Sequence, residues 1–169
     1  MTVLVSYRAN VFSRESAAVL HRAGADAICL SAELTLPQLR DIAPDVPKGA
    51  VVYGRLPLMT LERCVIADTN QKTGTPCDAC RDKKPHSLTD RTGASFPLLP
   101  AHGHRNLLVN SVPFWMADRR AALAQTGCDF YLFLFTVEDA RAVCSVIDAW
   151  DKELSPAQCG ISARRIAKS

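Results

Sequence analysis

The chain has 169 residues, 48% of them hydrophobic and 22% charged, with a net charge of +3. These values allow one packed domain and exclude a wholly disordered chain. The mild basicity permits contact with nucleic acid without singling it out, and no apolar run approaches the length needed to cross a bilayer.

The opening MTVLVSYRANVF lacks a basic stretch followed by a long apolar run, so no secretion signal is expected and a reducing cytoplasm is the default compartment. Val3 to Tyr7, extending toward Phe12, is β-rich and predicts a first strand. Ser13 suits a helix N-cap, with Glu15 in the first turn, an apolar face of Ala17, Val19, Leu20 and Ala23, and a stop at Gly24. The run AICL, ending at Leu30, predicts a short parallel strand covered on both faces. Thr35 and Gln38 have capping-box spacing for a short helix that ends before Pro44. The run AVVY, ending at Tyr53, predicts a third strand. The order β-α-β-α-β with short links implies right-handed crossovers in a parallel sheet.

Between residues 56 and 105 the pattern breaks and reads as an insertion without a useful amphipathic helix. Ser87 to Thr89 and Ala94 to Leu99 predict a hairpin around Asp90-Arg91-Thr92-Gly93, where Asp first and Gly last suit a type I turn. Leu107 to Val109 is expected to resume the scaffold as a fourth strand. A helix from Ala117 to Gln125 is closed by Gly127, and FYLFLF, ending at Phe135, is the most apolar strand. Thr136, Glu138 and Asp139 open the last helix, whose apolar stripe is Val143, Ile147, Trp150 and Leu154. Residues 1–154 form the expected domain, and residues 155–169 read as a polar, basic, solvated tail. Five parallel-type strands are too few for a closed barrel, which needs eight. They fit an open sheet or the second half of a barrel.

Seven cysteines are many for this length. Cys29, Cys128 and Cys144 lie in or beside apolar segments and read as buried thiols acting as small hydrophobes. Cys64, Cys77 and Cys80 are spaced C-x12-C-x2-C within turn-rich sequence. In a reducing compartment a close cysteine pair favours metal over disulfide. Thiolates suit both iron–sulfur clusters and zinc, so spacing alone does not name the metal. The plain alternative is three free thiols in a loop.

The segments YGRLPLMTLERC, CDAC, LTDRTGASFPL, NSVPFWMADR and FTVEDARAV are similar to the U32 family of collagenase-like peptidases. Upstream, NVFSRESAAVLHRAGADAICLSAELTLPQLRDI resembles the segment that precedes the family's GRLPLM. The resemblance runs from Asn10 to about Trp150. It implies an α/β fold: a TIM-barrel-like core, of which this chain matches the C-terminal part, with about five parallel strands, a cysteine-containing insertion and a β-hairpin. It also implies a cytoplasmic bacterial protein. Several relatives are linked to oxygen-independent hydroxylation of RNA bases or of a quinone precursor, and carry a 4Fe–4S cluster on four cysteines. Cys64, Cys77 and Cys80 fall on three of those positions. The fourth lies just after the FP of DRTG-x-x-FP, where this chain has Leu99 or Pro100. His104 or His102 nearby could complete a Cys3His site, or another part of the barrel could supply a thiolate.

Arg55 follows the third predicted strand at its C-terminal end, the end that carries active sites in barrels, and Asn110 and Ser111 hold the equivalent place on the next strand. A guanidinium there could hold a phosphate or carboxylate, or pair structurally with an acid such as Asp90. Ser111 is a conceivable nucleophile, but no G-x-S-x-G elbow surrounds it, and no H-E-x-x-H motif is present. Two functions from different classes remain open: metal-thiolate hydroxylation or peptide hydrolysis on an RNA or small-molecule or peptide substrate, and a zinc-stabilised or metal-free module without catalysis. A half-barrel also leaves two strand edges that invite an N-terminal half-barrel partner or a second copy of the chain.

Overall fold

The computed structural model describes residues 1–69, 79–80 and 85–163. In chain order the elements are β1 (Leu4–Val5), α1 (Arg14–Arg22), β2 (Ala27–Cys29), α2 (Leu36–Asp41), β3 (Lys48–Gly54), β4 (Pro57–Leu61), α3 (Val65–Thr69) and β5 (His86–Thr89). They continue with β6 (Ser95–Ala101), β7 (Arg105–Val109), β8 (Phe114–Trp115), α4 (Arg120–Ala124), β9 (Phe130–Leu134) and α5 (Ala140–Asp151). The chain divides into two compact units: Met1–Gly54 with Phe114–Ser169, and Arg55–Pro113. Among the described residues no helix is long and apolar enough to cross a membrane.

The first unit is a mixed α/β layer. Four strands run parallel in the order β1-β2-β3-β9, and β8 adds antiparallel to the far end of β3 at Tyr53 and Gly54. No barrel closes among the described residues, so the expected partial β/α fold stands. All seven residues of β3 are buried, as an interior strand covered on both faces requires. Two glycines let β9 come close to it. A Cβ on Gly49 would fall inside the Phe130 ring, and one on Gly54, which has φ 134°, would meet Leu134.

Local chemistry sets the helix ends as the sequence predicts. The Ser13 hydroxyl accepts from Ser16 N at 3.2 Å, and Thr35 and Gln38 bond reciprocally at 3.3 and 2.8 Å. Gly24, with φ 102°, follows α1. The other end of α2 is held by a residue that sequence reasoning did not single out. Lys48, only 6% exposed, donates from Nζ to Leu39 O and Ile42 O at 2.6 Å each. An ammonium on the last carbonyls of a helix satisfies orphan acceptors and complements the helix dipole. Val11, Ala17 of α1, Ile28, Leu30, Leu39 of α2 and Ala50 form an apolar core. Full burial of side chains such as Ile28 and Leu30 contributes roughly 1.5–3 kcal/mol each.

Several expectations change. The first strand is only two residues long, because a 3-10 turn at Tyr7–Ala9 with Asn10 left-handed interrupts it. The last helix begins at Ala140 with Asp139 as its N-cap, whose carboxylate accepts from Ala142 N at 2.8 Å. Its buried face is Val146, Ala149 and Trp150, and Ile147 is 37% exposed. The helix is thus turned by about a residue from the predicted stripe, because Trp150 packs edge-on to Tyr131 and Phe133 of β9. Cys29 is fully buried and Cys128 half-buried, but Cys144 is exposed on α5. At the start of the expected tail, Pro156–Cys159 forms a 3-10 turn with Pro156 buried.

The second unit is an antiparallel sheet in the order β4-β7-β6-β5. Leu107 to Val109, expected as a fourth parallel strand, lies in β7 and pairs antiparallel with β4 and β6. An apolar run declares a strand but not its partner, and here the partners are local in sequence. The predicted hairpin forms as β5 and β6. Asp90 builds its turn: Oδ1 accepts from Thr92 N at 2.8 Å, Thr92 Oγ1 at 2.7 Å and Ala94 N at 3.0 Å. The Thr92 hydroxyl and these backbone N–H groups hold the carboxyl below its ordinary range.

Candidate functional site

The described candidate ligands and catalytic residues, Arg55, Cys64, Cys80, His102, His104, Asn110 and Ser111, lie in the second unit. Cys64 follows β4 and occupies the cap position of α3, where its Sγ accepts from Ala67 N at 3.4 Å. Asn106, fully buried on β7, donates from Nδ2 to the same sulfur at 3.6 Å. Its other bonds fix that amide. Nδ2 also reaches Arg105 O at 3.0 Å, and Oδ1 accepts from Ile66 N at 3.4 Å. Strand pairing of Leu61 with Asn106 brings the two segments side by side. Two N–H donors aimed at one sulfur are the surroundings that a thiolate or a metal-bound sulfur takes.

Cys64 and Cys80 border the same small apolar cluster of Ile66, Ala67, Ala79 and Leu98. Cys77 lies outside the described residues. Among the described residues no three His, Cys, Asp or Glu side chains are grouped closely enough to hold one metal ion. His102 and His104 are exposed in the turn between β6 and β7, where Gly103 and His104 take φ 72° and 59°. That turn leads straight into Arg105 and Asn106, the segment that supports Cys64.

Sequence reasoning passed over two residues. Asn106 is one; nothing local marks an amide that serves a cysteine 42 residues away. His86 is the other. It opens β5 opposite Leu98, and its Nε2 is buried with no hydrogen-bond partner among the described residues. Its nearness in sequence to CDAC was the available signal.

Arg55 donates from Nη1 to the carbonyls of Asn110, at 3.0 Å, and Ser111. Asn110 N in turn donates to Leu56 O at 3.0 Å, so segments near the two ends of the unit are clamped together. Asp90 serves the hairpin turn through Oδ1, and the hydrogen bonds of Arg55 go to the Asn110 and Ser111 carbonyls instead. The Arg55 Nε is buried without a partner among the described residues. Ser111 meets the guanidinium through its carbonyl, and no base is hydrogen-bonded to its hydroxyl among the described residues.

A family model, Peptidase family U32, matches residues 1–111. The chain belongs to peptidase family U32. No curated protein and no solved structure matches it. The matched span of this U32 chain holds the whole parallel β1-β2-β3 run and all the residues above, from Arg55 to Ser111.

In the first unit, the C-terminal ends of the parallel strands carry two polar pairs. The Ser31 hydroxyl donates to Asn10 Oδ1 at 2.7 Å. The Tyr53 hydroxyl donates to Glu138 Oε1 at 3.0 Å, and Glu138 Oε2 accepts from Thr136 N at 2.7 Å and Val137 N at 3.1 Å. Burial pushes the Glu138 carboxyl up, but these hydrogen bonds outweigh it and hold the group below its ordinary range. A cavity of about 30 Å³ lined by Ser31, Leu36, Leu39, Val51, Met116 and Arg119 has room for roughly one water.

Proposed function

We propose that this U32 chain carries a metal–thiolate centre on Cys64, Cys77 and Cys80, with His104 as the fourth ligand, and serves oxygen-independent hydroxylation chemistry on an RNA base or a small aromatic molecule. The observation that carries the reading is the environment of Cys64: a sulfur at the edge of a shared apolar cluster with Cys80, receiving one backbone and one side-chain N–H. The donor chemistry fits a thiolate-bound group. An iron–sulfur cluster, if held there, would supply single-electron transfer.

The protein's own residues do the rest. Asn106 orients the Cys64 sulfur and offsets its negative charge. Ile66, Ala67, Ala79 and Leu98 keep water from the sulfurs on one side. Arg55, clamped by two carbonyls, places a fixed positive charge directly after β3, suited to a phosphate or carboxylate of the substrate. Hydrolysis, which the family's name favours, has weaker support, because Ser111 has neither a base nor a second activating group bonded to it among the described residues.

The test is anaerobic purification followed by assay of iron, acid-labile sulfide and zinc in the native chain and in Cys64→Ser, Cys77→Ser and Cys80→Ser. Brown protein with iron and sulfide, lost in all three variants, supports the reading. Colourless protein with stoichiometric zinc moves the site to a structural knot. Protein free of both metals, or gelatin cleavage lost in Ser111→Ala and kept in Cys64→Ser, overturns it in favour of a metal-free module or a hydrolase.

A further inference from the structure

We infer that His86 is a second hydrogen-bond donor to the thiolate centre: its Nε2 proton meets a sulfur there from β5, as the Asn106 amide meets Cys64 from β7. His86 has this role only if the proposed centre at Cys64 and Cys80 exists, and it serves there as a positioning residue, not a ligand.

The register of the second sheet fixes which way the His86 ring faces. His86 pairs with Leu98, and Leu98 pairs with Leu108. One row along, Asn106 pairs with Pro100 on one side and Leu61 on the other. Paired residues share a face of the sheet, and so do residues two apart on one strand. His86, Leu88, Leu98, Leu108, Asn106 and Leu61 therefore share one face. Burial agrees along β5, where His86 and Leu88 are half-buried and Ser87 and Thr89 are exposed.

That face lies against the cysteines. Leu61, Leu88, Leu98 and Leu108 all belong to or pack on the apolar cluster that Cys64 and Cys80 border. Asn106 reaches the Cys64 sulfur from the same face. Of the six residues that share it, only His86 and Asn106 are polar. The Asn106 amide has its hydrogen bonds made, to Cys64 Sγ, Arg105 O and Ile66 N. His86 does not: Nε2 is buried and has no hydrogen-bond partner among the described residues.

A buried polar atom left unpaired is costly, and in a native protein it calls for an ion or a functional group beside it. Ligation together with Cys64 and Cys80 is not what the geometry favours. All three residues are described, and among the described residues no three such side chains are grouped closely enough to hold one ion. A hydrogen bond to a sulfur needs no such grouping, because the donor stands outside the ligand shell. An N–H given to a thiolate or sulfide sulfur offsets its negative charge, and for an iron–sulfur group it favours the reduced state.

The experiment compares the native chain, purified anaerobically, with His86→Leu, His86→Phe and His86→Gln. Leu and Phe fill the space without a donor, Phe keeping a ring, so the test survives if one of them fails to fold. Gln keeps an N–H about as far from the backbone as Nε2. Circular dichroism confirms folding. Chelator competition reads metal affinity, and where iron is bound a redox titration followed by absorbance reads the reduction potential. The donor-free variants are expected to keep the metal at native stoichiometry but to hold it about 10- to 100-fold less tightly. Their iron–sulfur potential is expected to move to more negative values, and His86→Gln to recover most of both changes. Affinity and potential unchanged in folded His86→Leu and His86→Phe overturn the role of His86 and leave the centre standing. Metal lost outright in all three variants makes His86 a ligand and overturns it as well. A native chain that binds no metal overturns the centre itself, and the role of His86 with it.

Discussion

Asn106→Ala is the perturbation that separates a sulfur held for metal from a sulfur that merely fills space. The side chain is fully buried and makes three hydrogen bonds, to Arg105 O at 3.0 Å, Ile66 N at 3.4 Å and Cys64 Sγ at 3.6 Å. Truncation leaves the Ile66 N–H at the start of α3 without its partner, and an unpaired buried donor costs about 1–3 kcal/mol. The two longer bonds place that loss toward the lower end, and the Arg105 contact adds about 1 kcal/mol. A total of about 2–3 kcal/mol corresponds to a fall in melting temperature of roughly 4–12 °C for a chain of this size. A group that orients a metal ligand from behind typically changes metal affinity by about 10- to 100-fold. Thermal unfolding followed by circular dichroism and chelator competition followed by absorbance give the two numbers. Asn106→Asp keeps the shape, removes the donor and sets a carboxylate against the sulfur, so it is expected to lose more metal affinity than Asn106→Ala does. Loss of stability with unchanged metal retention in both variants would refute the reasoning and leave Asn106 as a support for α3 alone.

Three further outcomes follow from the first unit. Gly49→Ala drives a Cβ into the Phe130 ring and is expected to cost about 1–3 kcal/mol in urea unfolding, partly recovered by adding Phe130→Leu; an unchanged midpoint contradicts the close β3–β9 contact. Glu138 is held below its ordinary range, so its stabilisation is present at neutral pH and is lost as pH falls below about 4.3, through its folded value. Glu138→Gln should therefore be less stable than the native chain at pH 7, with the difference shrinking in acid; a constant difference across that range counts against the hydrogen-bonded carboxylate. Burial, with Cys128 adding to it, pushes the Cys29 thiol up to about 12, whereas Cys144 is exposed. Alkylation of the native protein at pH 8, mapped by mass spectrometry, should label Cys144 early and Cys29 only on unfolding; early labelling of Cys29 would show that β2 is not closed.

What was legible in the sequence was chemistry confined to a few neighbouring residues. The Ser13 cap, the Thr35–Gln38 box and the Asp90 turn each satisfy their own backbone within four positions, so composition and spacing suffice to place them. Features that depend on distant partners were hidden. The direction of β7 depends on β4 and β6, and the role of Lys48 depends on carbonyls six and nine residues before it. The face of α5 depends on the aromatics of β9. The site divides the same way. Cysteine type and spacing pointed to Cys64 and Cys80, but the amide that serves Cys64 arrives through strand pairing, and so does the clamp of Arg55 on Asn110 and Ser111.

The most direct test is X-ray absorption at the metal edge of the anaerobically purified chain, which counts sulfur ligands around the metal. A sulfur shell around the metal in the native chain, lost together with the metal in Cys64→Ser, is the predicted result. A metal bound without sulfur, or with a sulfur count indifferent to Cys64, would contradict a centre built on Cys64, Cys77 and Cys80.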